Sequence, residues 1–390
     1  MTTFIHTADW QLGKPFSRVA DEGSRVRLRQ ERIAAVRRIG DLARERQAAF
    51  VVVAGDVFDS NHATNRTISD ACDAIASIGV PVHVIPGNHD HAGPGSVWEQ
   101  DFFVAESRER APNLRVHLAA RPVAESGCIL LPCPLHRRQA ASDPCGWLRD
   151  LDWTAFGAAP RILVAHGSTR DFSGERDEED LPGQPNFIHL EHLPLADLDY
   201  VALGDWHGFL QAGPKAWYAG AHETDRFPKA GQRPGHVACV TATRAGPPAV
   251  DPLPTGRLAW LGTALDLGED GPDRLEETLA TVTRGAGFDR ALVDLGLTGC
   301  VSLAARRELE RILESWSHRL LRLDVRDETT LAPAPEEIRD LADRADDPII
   351  ARVAGELLRR IAAGGPDADD AREAVNLLHG LCAGPGEAAR

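Results

Sequence analysis

Apolar residues run without a break through Phe50-Val51-Val52-Val53-Ala54 and stop at Gly55-Asp56-Val57-Phe58-Asp59. A β-branched run with no alternation predicts a strand buried on both faces, and open α/β sheets place their chemistry just beyond the carboxyl ends of such strands. The same shape recurs at Phe4-Ile5-His6-Thr7-Ala8-Asp9, at Val82-His83-Val84-Ile85-Pro86-Gly87-Asn88-His89-Asp90, at Ile162-Leu163-Val164-Ala165-His166 and at Tyr200-Val201-Ala202-Leu203-Gly204-Asp205-Trp206-His207. Five strands thereby deliver Asp, Asn and His to one rim. Between them, helical spacing predicts helices over 25–47 (Ile33, Val36, Ile39, Ala43), 61–78 (Ile68, Ala71, Cys72, Ile75, Ile78) and 98–108. The alternation favours a mostly parallel sheet.

Further along, residues 114–134 predict shorter alternating segments, and His236 to Thr241 predicts one more core strand. Pro252 and Pro254 mark an expected boundary. A strand at Ala291–Leu295, a helix at Leu303–Trp316 and a strand at Leu320–Val325 then form a β-α-β pattern, and 335–382 is helical with a break at Gly364-Gly365-Pro366. The expected division is 1–252, 253–332 and 333–390.

Composition narrows the class. A chain of 390 residues with 43% hydrophobic content supports two to three domains. It has no apolar run approaching ~20 residues. Its first residues enter a strand with no basic or apolar leader, so a cytoplasmic protein with no membrane association is expected. Seven cysteines, an odd number, predict reduced thiols; the one close pair, Cys128 and Cys133, lies in a Pro-containing strand and is read as structural. The net charge of −15 counts against tight autonomous DNA binding, although bound cations or a partner could supply positive charge. Arg25, Arg27, Arg29, Arg32, Arg37 and Arg38 are read as the solvated face of a helix rather than a phosphate-tracking surface, and Asp171, Glu175, Asp177, Glu178, Glu179 and Asp180 as a surface loop rather than a Ca site.

The rim carries the chemistry. Carboxylates, an amide oxygen and imidazoles converging from separate strands match the needs of a pair of Mn, Fe or Zn-like ions, because each ion takes several N/O donors and one carboxylate can bridge both. The ordered series Asp9-Trp10-Gln11, Gly55-Asp56-Val57-Phe58-Asp59, Gly87-Asn88-His89-Asp90, Ala165-His166-Gly167 and Gly204-Asp205-Trp206-His207 resembles the five signatures of the calcineurin-like metallophosphoesterases. Within them, His6-Thr7-Ala8-Asp9-Trp10-Gln11-Leu12-Gly13 and Tyr218-Ala219-Gly220 resemble the SbcD DNA repair exonucleases. The motifs span roughly residues 4 to 240.

This resemblance implies a four-layer α/β/β/α sandwich with a small α/β cap domain and a helical C-terminal tail. It implies that Asp9, Gln11, Asp56 and His207 hold one ion, that Asp56, Asn88, His166 and Asp205 hold the other, and that a water between them attacks phosphorus. His89 would assist the leaving oxygen, Asp90 would orient His89, and Asp59 would act behind them. Tyr218 is a candidate substrate contact, with core packing the alternative; His6 and His83 are read as structural, Trp10 and Trp206 as packing residues. Members usually have His at the positions of Gln11 and Asp205, and exchanging nitrogen for oxygen shifts preference toward Mn, with Mg or Fe as alternatives.

The implied activity is a Mn-dependent DNA exonuclease and endonuclease, working as a homodimer with an SbcC-type SMC-like ATPase that docks on the helical tail. The alternatives are a phosphodiesterase for small nucleotides and a metal- and DNA-end-binding scaffold without turnover. Asp9, Asp56, Asn88, His89, His166 and His207 argue against the scaffold, which would have no use for His89.

Overall fold

A computed structural model describes residues 1–140, 142–169, 186–229, 231–244, 246–267, 271–333, 335–365 and 367–382; the acidic stretch 171–180 lies outside them. The chain divides into two compact units, Met1–Leu258 and Ala259–Arg390.

In the first unit, β1 (Thr2–Thr7), α1 (Glu22–Glu45), β2 (Val51–Ala54), α2 (Asn65–Ile78), β3 (Val82–Ile85), α3 (Asp101–Arg110) and β4 (Leu114–Val116) alternate as the hydrophobic pattern predicts. A second series follows: β5 (Val123–Glu125), β6 (Cys128–Cys133), β7 (Arg161–His166), β8 (Tyr200–Gly204), β9 (Leu210–Gly213) and β10 (Ala216–Tyr218), then β11 (His236–Ala242) and β12 (Ala249–Pro254). They build two six-stranded sheets, ordered β12-β11-β1-β2-β3-β4 and β5-β6-β7-β8-β10-β9. The β1-β2-β3-β4 block is parallel, as is β6-β7-β8-β10, and β11 joins β1 antiparallel.

Why β2 shows no alternation is visible in its neighbours. Val51 and Val53 pack with Val36, Ile39, Ile68 and Ile75 on the helix side, while Val52 and Ala54 pack with Leu130, Ile162, Val164 and Tyr200 between the sheets. Both faces are buried, so both need apolar side chains. The far face of the second sheet buries Leu131, Leu163, Val201 and Leu203 against Leu148, Ile188, Leu193 and Leu198. Among the described residues the helical elements that follow β6 and β7 on the chain are the 3-10 turns Gly146–Asp150, Trp153–Phe156 and Leu190–His192, and the mixed α/β architecture is the one expected.

Local signals fix the ends of the helices. Asp21 caps α1, accepting from the Ser24 amide at 2.6 Å, and Thr64 caps α2, accepting from the Thr67 amide at 3.2 Å. Pro252 and Pro254 do not interrupt structure; they sit in β12, an edge strand, where a missing N–H is tolerated.

The second unit is a parallel sheet of β13 (Ala259–Leu267), β14 (Ala291–Val301) and β15 (Arg322–Asp327), with β16 (Thr330–Leu331) paired to β14 and two helices, α4 (Gly271–Thr283) and α5 (Leu303–Arg319). Strand β13 and helix α4 extend the predicted β-α-β pattern by one repeat. Helices α6 (Pro335–Ala342), α7 (Pro348–Ala363) and α8 (Ala368–Cys382) complete it, α7 and α8 lying on either side of the predicted break. All seven cysteines are free. No helix among the described residues is long and apolar enough to cross a membrane.

Candidate metal centre

The loops that leave β1 and β2 are zipped together before any side chain is considered. Asp9 donates its amide to the Gly55 carbonyl, Gln11 to Asp56 at 2.8 Å, Leu12 to Val57 at 2.8 Å, and Asp59 returns a bond to Leu12. Asp9, Gln11 and Asp56 in this junction, and Asp205 after β8, have positive φ (54°, 39°, 57° and 103°), conformations that side-chain-bearing residues seldom adopt. Four sequence-predicted donors thus carry local backbone strain, as is common where geometry serves a site.

Glycines make room for the donors. A Cβ on Gly87 would lie 2.1 Å from Asp56 Oδ1, and one on Gly55 would lie 2.2 Å from His166 Nδ1. These clashes explain why Gly stands directly before so many donors in the sequence. Gly55→Ala, at a φ of 94°, should displace His166 and cost roughly 1–3 kcal/mol of folding stability from overpacking alone. Chemical denaturation checks the stability, and the variant should also bind divalent ions more weakly.

His166 is the most completely specified donor. Its Nδ1 lies 2.8 Å from the Ala54 carbonyl, which can only accept, so in the neutral ring Nδ1 carries the proton and Nε2 offers its lone pair inward. Around Nε2 stand the Asn88 amide at 2.8 Å, Asp56 Oδ1 at 3.6 Å and Asp205 Oδ1 at 3.8 Å. With its nitrogen turned inward the Asn88 amide donates to both Asp56 oxygens, at 3.1 and 3.2 Å. Asp9 accepts from the Asp205 amide through both carboxylate oxygens, at 3.1 and 3.2 Å, and donor atoms of Asp9, Asp56 and His166 all lie within 4.8 Å of one another.

Electrostatics agree with this picture. Burial raises the Asp9 carboxyl to about 6 against the pull of His207 and His166, and burial also raises Asp205. Burial would lift Asp56 too, but His166 and His89 outweigh it and hold this carboxyl below its ordinary value. Burial opposes protonation of His166, yet Asp56, Asp9 and Asp205 together push it up to about 9. Two buried carboxylates, Asp9 and Asp56, and the half-buried Asp205 competing for positive charge make the electrostatic demand that a divalent cation meets. Separations of 2.8–3.8 Å around Nε2 also suit the edges of a coordination shell with bonds of about 2.1 Å. The residues fit the ion.

The remaining predicted residues surround this cluster. His89 donates its amide to Asp56 Oδ1 at 3.0 Å, its Nδ1 lies 2.8 Å from the Asp59 carbonyl, and its Nε2 is 4.0 Å from Asp56 Oδ2. Burial lowers its basicity, but Asp56 and the Asp59 carbonyl outweigh that and raise it above an ordinary imidazole. The contact expected from Asp90 is therefore made by the Asp59 main chain. Asp90 instead accepts from the amides of Gly87 at 2.7 Å and Phe58 at 3.1 Å, closing the loop on which Asn88 and His89 stand; burial and the nearby Asp56 raise its carboxyl to about 7. Tyr218 is fully buried and donates its hydroxyl to the Gly167 carbonyl at 2.8 Å, a contact that supports the turn after His166. His6 is structural: Nε2–H donates to the Leu203 carbonyl, Tyr200 donates to Nδ1 at 2.9 Å, and burial lowers the ring to about 3.

Asp225 and Lys14 support the site without having been singled out from sequence, and Arg32 supports it against its reading as a solvated residue. His207 has its Nδ1 3.4 Å from Asp225, which also pairs with Lys14 at 2.9 Å and with Arg226 at 3.3 Å. Burial would raise Asp225, but Lys14, His207 and Arg226 hold it well below the usual carboxylate range. Lys14 also donates to Gln11 Oε1 at 2.8 Å. Arg32 does not lie on a solvated helix face: it is 1% exposed and donates to the carbonyls of Asp9, Trp10 and Glu223.

Comparison with known proteins agrees with the geometry. The family described as calcineurin-like phosphoesterase matches residues 2–232. An uncharacterized metallophosphoesterase, YhaO of Bacillus subtilis (strain 168), is 33% identical over 96 residues, which are 23% of this chain and 24% of that protein. The chain thus matches less than a quarter of its relative's length. The crystal structure of TT1561 of Thermus thermophilus aligns with 64% of this chain and 98% of its own, at 12% identity and a TM-score of 0.40.

Proposed function

From a chain that belongs to the calcineurin-like phosphoesterase family, and so performs metal-dependent phosphoester hydrolysis, we propose a cytoplasmic DNA exonuclease and endonuclease of the SbcD type. The observation that carries the reading is Asp56, whose carboxylate lies 3.6 Å from His166 Nε2 and accepts from the His89 amide, joining the donor set to an imidazole placed beside it. Two divalent ions, Mn in preference to Mg or Fe, would supply a water that is nucleophilic near neutral pH and would neutralise charge on the phosphate oxygens.

The chain's own residues do the rest. Asp59 holds the His89 ring through Nδ1, leaving Nε2 to face a substrate and to give a proton to the departing oxygen. Asp90 fixes the loop that sets His89 beside Asp56. Ser168 donates to Asp205 Oδ2 at 2.8 Å and Asp225 orients His207, so each donor arrives with its direction set.

The motif His6-Thr7-Ala8-Asp9-Trp10-Gln11-Leu12-Gly13 supports DNA as substrate. An ATPase partner of the SbcC type supplies the positive surface that a net charge of −15 withholds, docking on the tail, where Ile349 and Val353 on α7 and Leu377 and Leu381 on α8 are exposed at i, i+4 spacing. We assign the homodimer contact to the neighbourhood of α3, where Val104 is exposed.

The test is cleavage of end-labelled linear, hairpin and single-stranded DNA with Mn, Mg and Zn titrated separately, with and without an SbcC-type ATPase. Mn-dependent shortening from an end is the expected result. Hydrolysis confined to cyclic or diphosphate-linked nucleotides would instead favour the small-nucleotide reading, which the acidic charge supports.

A further inference from the structure

Resting on the metal-dependent reading above, we propose that Lys14 makes the two ion positions unequal: one tight, at Asp56, Asn88, His166 and Asp205, and one weak, at Asp9, Gln11, Asp56 and His207. The two halves differ in whether a lysine ammonium from outside the donor set lies on one of their donors, the partners of the first half being the neutral Asn88 amide and Ser168 hydroxyl. In the first, the donors face one another around His166 Nε2 at 2.8, 3.6 and 3.8 Å. In the second, the Gln11 amide oxygen accepts from the Lys14 ammonium at 2.8 Å, and that ammonium is anchored 2.9 Å from Asp225, the carboxylate that also holds His207.

The anchoring is firm. Gln11 is 2% exposed and held at a φ of 39°, with its amide bonded to Asp56, and the Asp225 side chain is 1% exposed. An ion sharing the Gln11 oxygen at about 2.1 Å would therefore sit within about 5 Å of an ammonium, in a half-buried site where like charges repel more than in bulk water. Asp225 offsets part of that repulsion, but it is already shared among Lys14, His207 and Arg226. An amide oxygen is also a poorer donor than the carboxylates opposite, so both effects weaken the same position. Lys14 thus takes over part of the charge that a second ion would bring.

The experiment counts ions without substrate, by isothermal titration of metal-free protein with Mn and by electron paramagnetic resonance, in which two Mn ions bridged by Asp56 give an exchange-coupled signal distinct from a single ion. Wild type should bind one ion tightly and a second about 10–100-fold more weakly. Lys14→Met should tighten the second by at least about tenfold and leave the first within about twofold, bringing the coupled signal to lower Mn. Lys14→Arg, which keeps the cation, should leave the second ion weak and guards against a folding defect in the methionine variant. Two equal ions in wild type, or a second ion indifferent to Lys14→Met, would overturn the proposal while leaving the nuclease reading intact. Absence of any tight ion would overturn both.

Discussion

Asp56→Asn is expected to lose divalent-ion binding at both positions and with it phosphodiester hydrolysis, by roughly 10³-fold or more, since both positioning and charge neutralisation depend on the ions. The substitution is nearly isosteric. It keeps an oxygen to accept from the His89 amide, now 3.0 Å from Asp56 Oδ1, and avoids a cavity beneath Gly87. What it removes is the charge that His166 and His89 favour and that no neighbouring donor can replace, because Asp9 and Asp205 are themselves raised by burial. Far-UV circular dichroism should match wild type while calorimetry detects no Mn uptake. A variant that still binds two ions would remove Asp56 from the centre of the site.

His89→Ala is expected to bind the ions as wild type does and yet lose about 10²–10⁴ in kcat, the usual worth of a positioned general acid. The imidazole does not complete the donor set; it stands beside it, held by Asp59 through Nδ1 with Nε2 4.0 Å from Asp56 Oδ2. Its loss should depend on the leaving group. A nucleoside alkoxide needs a proton as it departs and should suffer the full effect, whereas p-nitrophenolate leaves unaided and should suffer far less. Equal losses on DNA and on bis(p-nitrophenyl) phosphate would assign His89 to binding the phosphate instead.

The strand ends were legible because two requirements coincide in the sequence. A strand buried on both faces must be continuously apolar, and the donor that follows it needs a glycine beside it, as Gly55 and Gly87 illustrate. What sequence hid was the support. Arg32 sits in the α1 stripe with Leu28, Ala35, Val36 and Ile39, all buried, so its i, i+4 spacing from Leu28 and Val36 marks it as inward-facing. Reading it as one of a group of arginines obscured that signal. Arg25 and Arg29 do pair with Glu22 at the surface, but Arg38 reaches Glu223 and Thr255. Asp225 carries no motif at all, because its partners Lys14 and His207 lie far from it in the chain or on another loop, and only folding brings them together. Asp90 departs from what the resemblance implies: it accepts from the Gly87 amide, and the His89 ring is held by the Asp59 carbonyl instead. In the second unit, β13 escaped notice because Gly262, Thr263 and Asp266 interrupt its apolar positions.

The most direct measurement of the central claim is turnover of bis(p-nitrophenyl) phosphate by protein stripped with a chelator, then restored with Mn, for wild type and Asp56→Asn side by side. Stripped wild type should show no hydrolysis and recover on adding Mn, and the variant should not recover at any Mn concentration that leaves it folded. Hydrolysis that survives stripping, or that Asp56→Asn leaves unchanged, would contradict it.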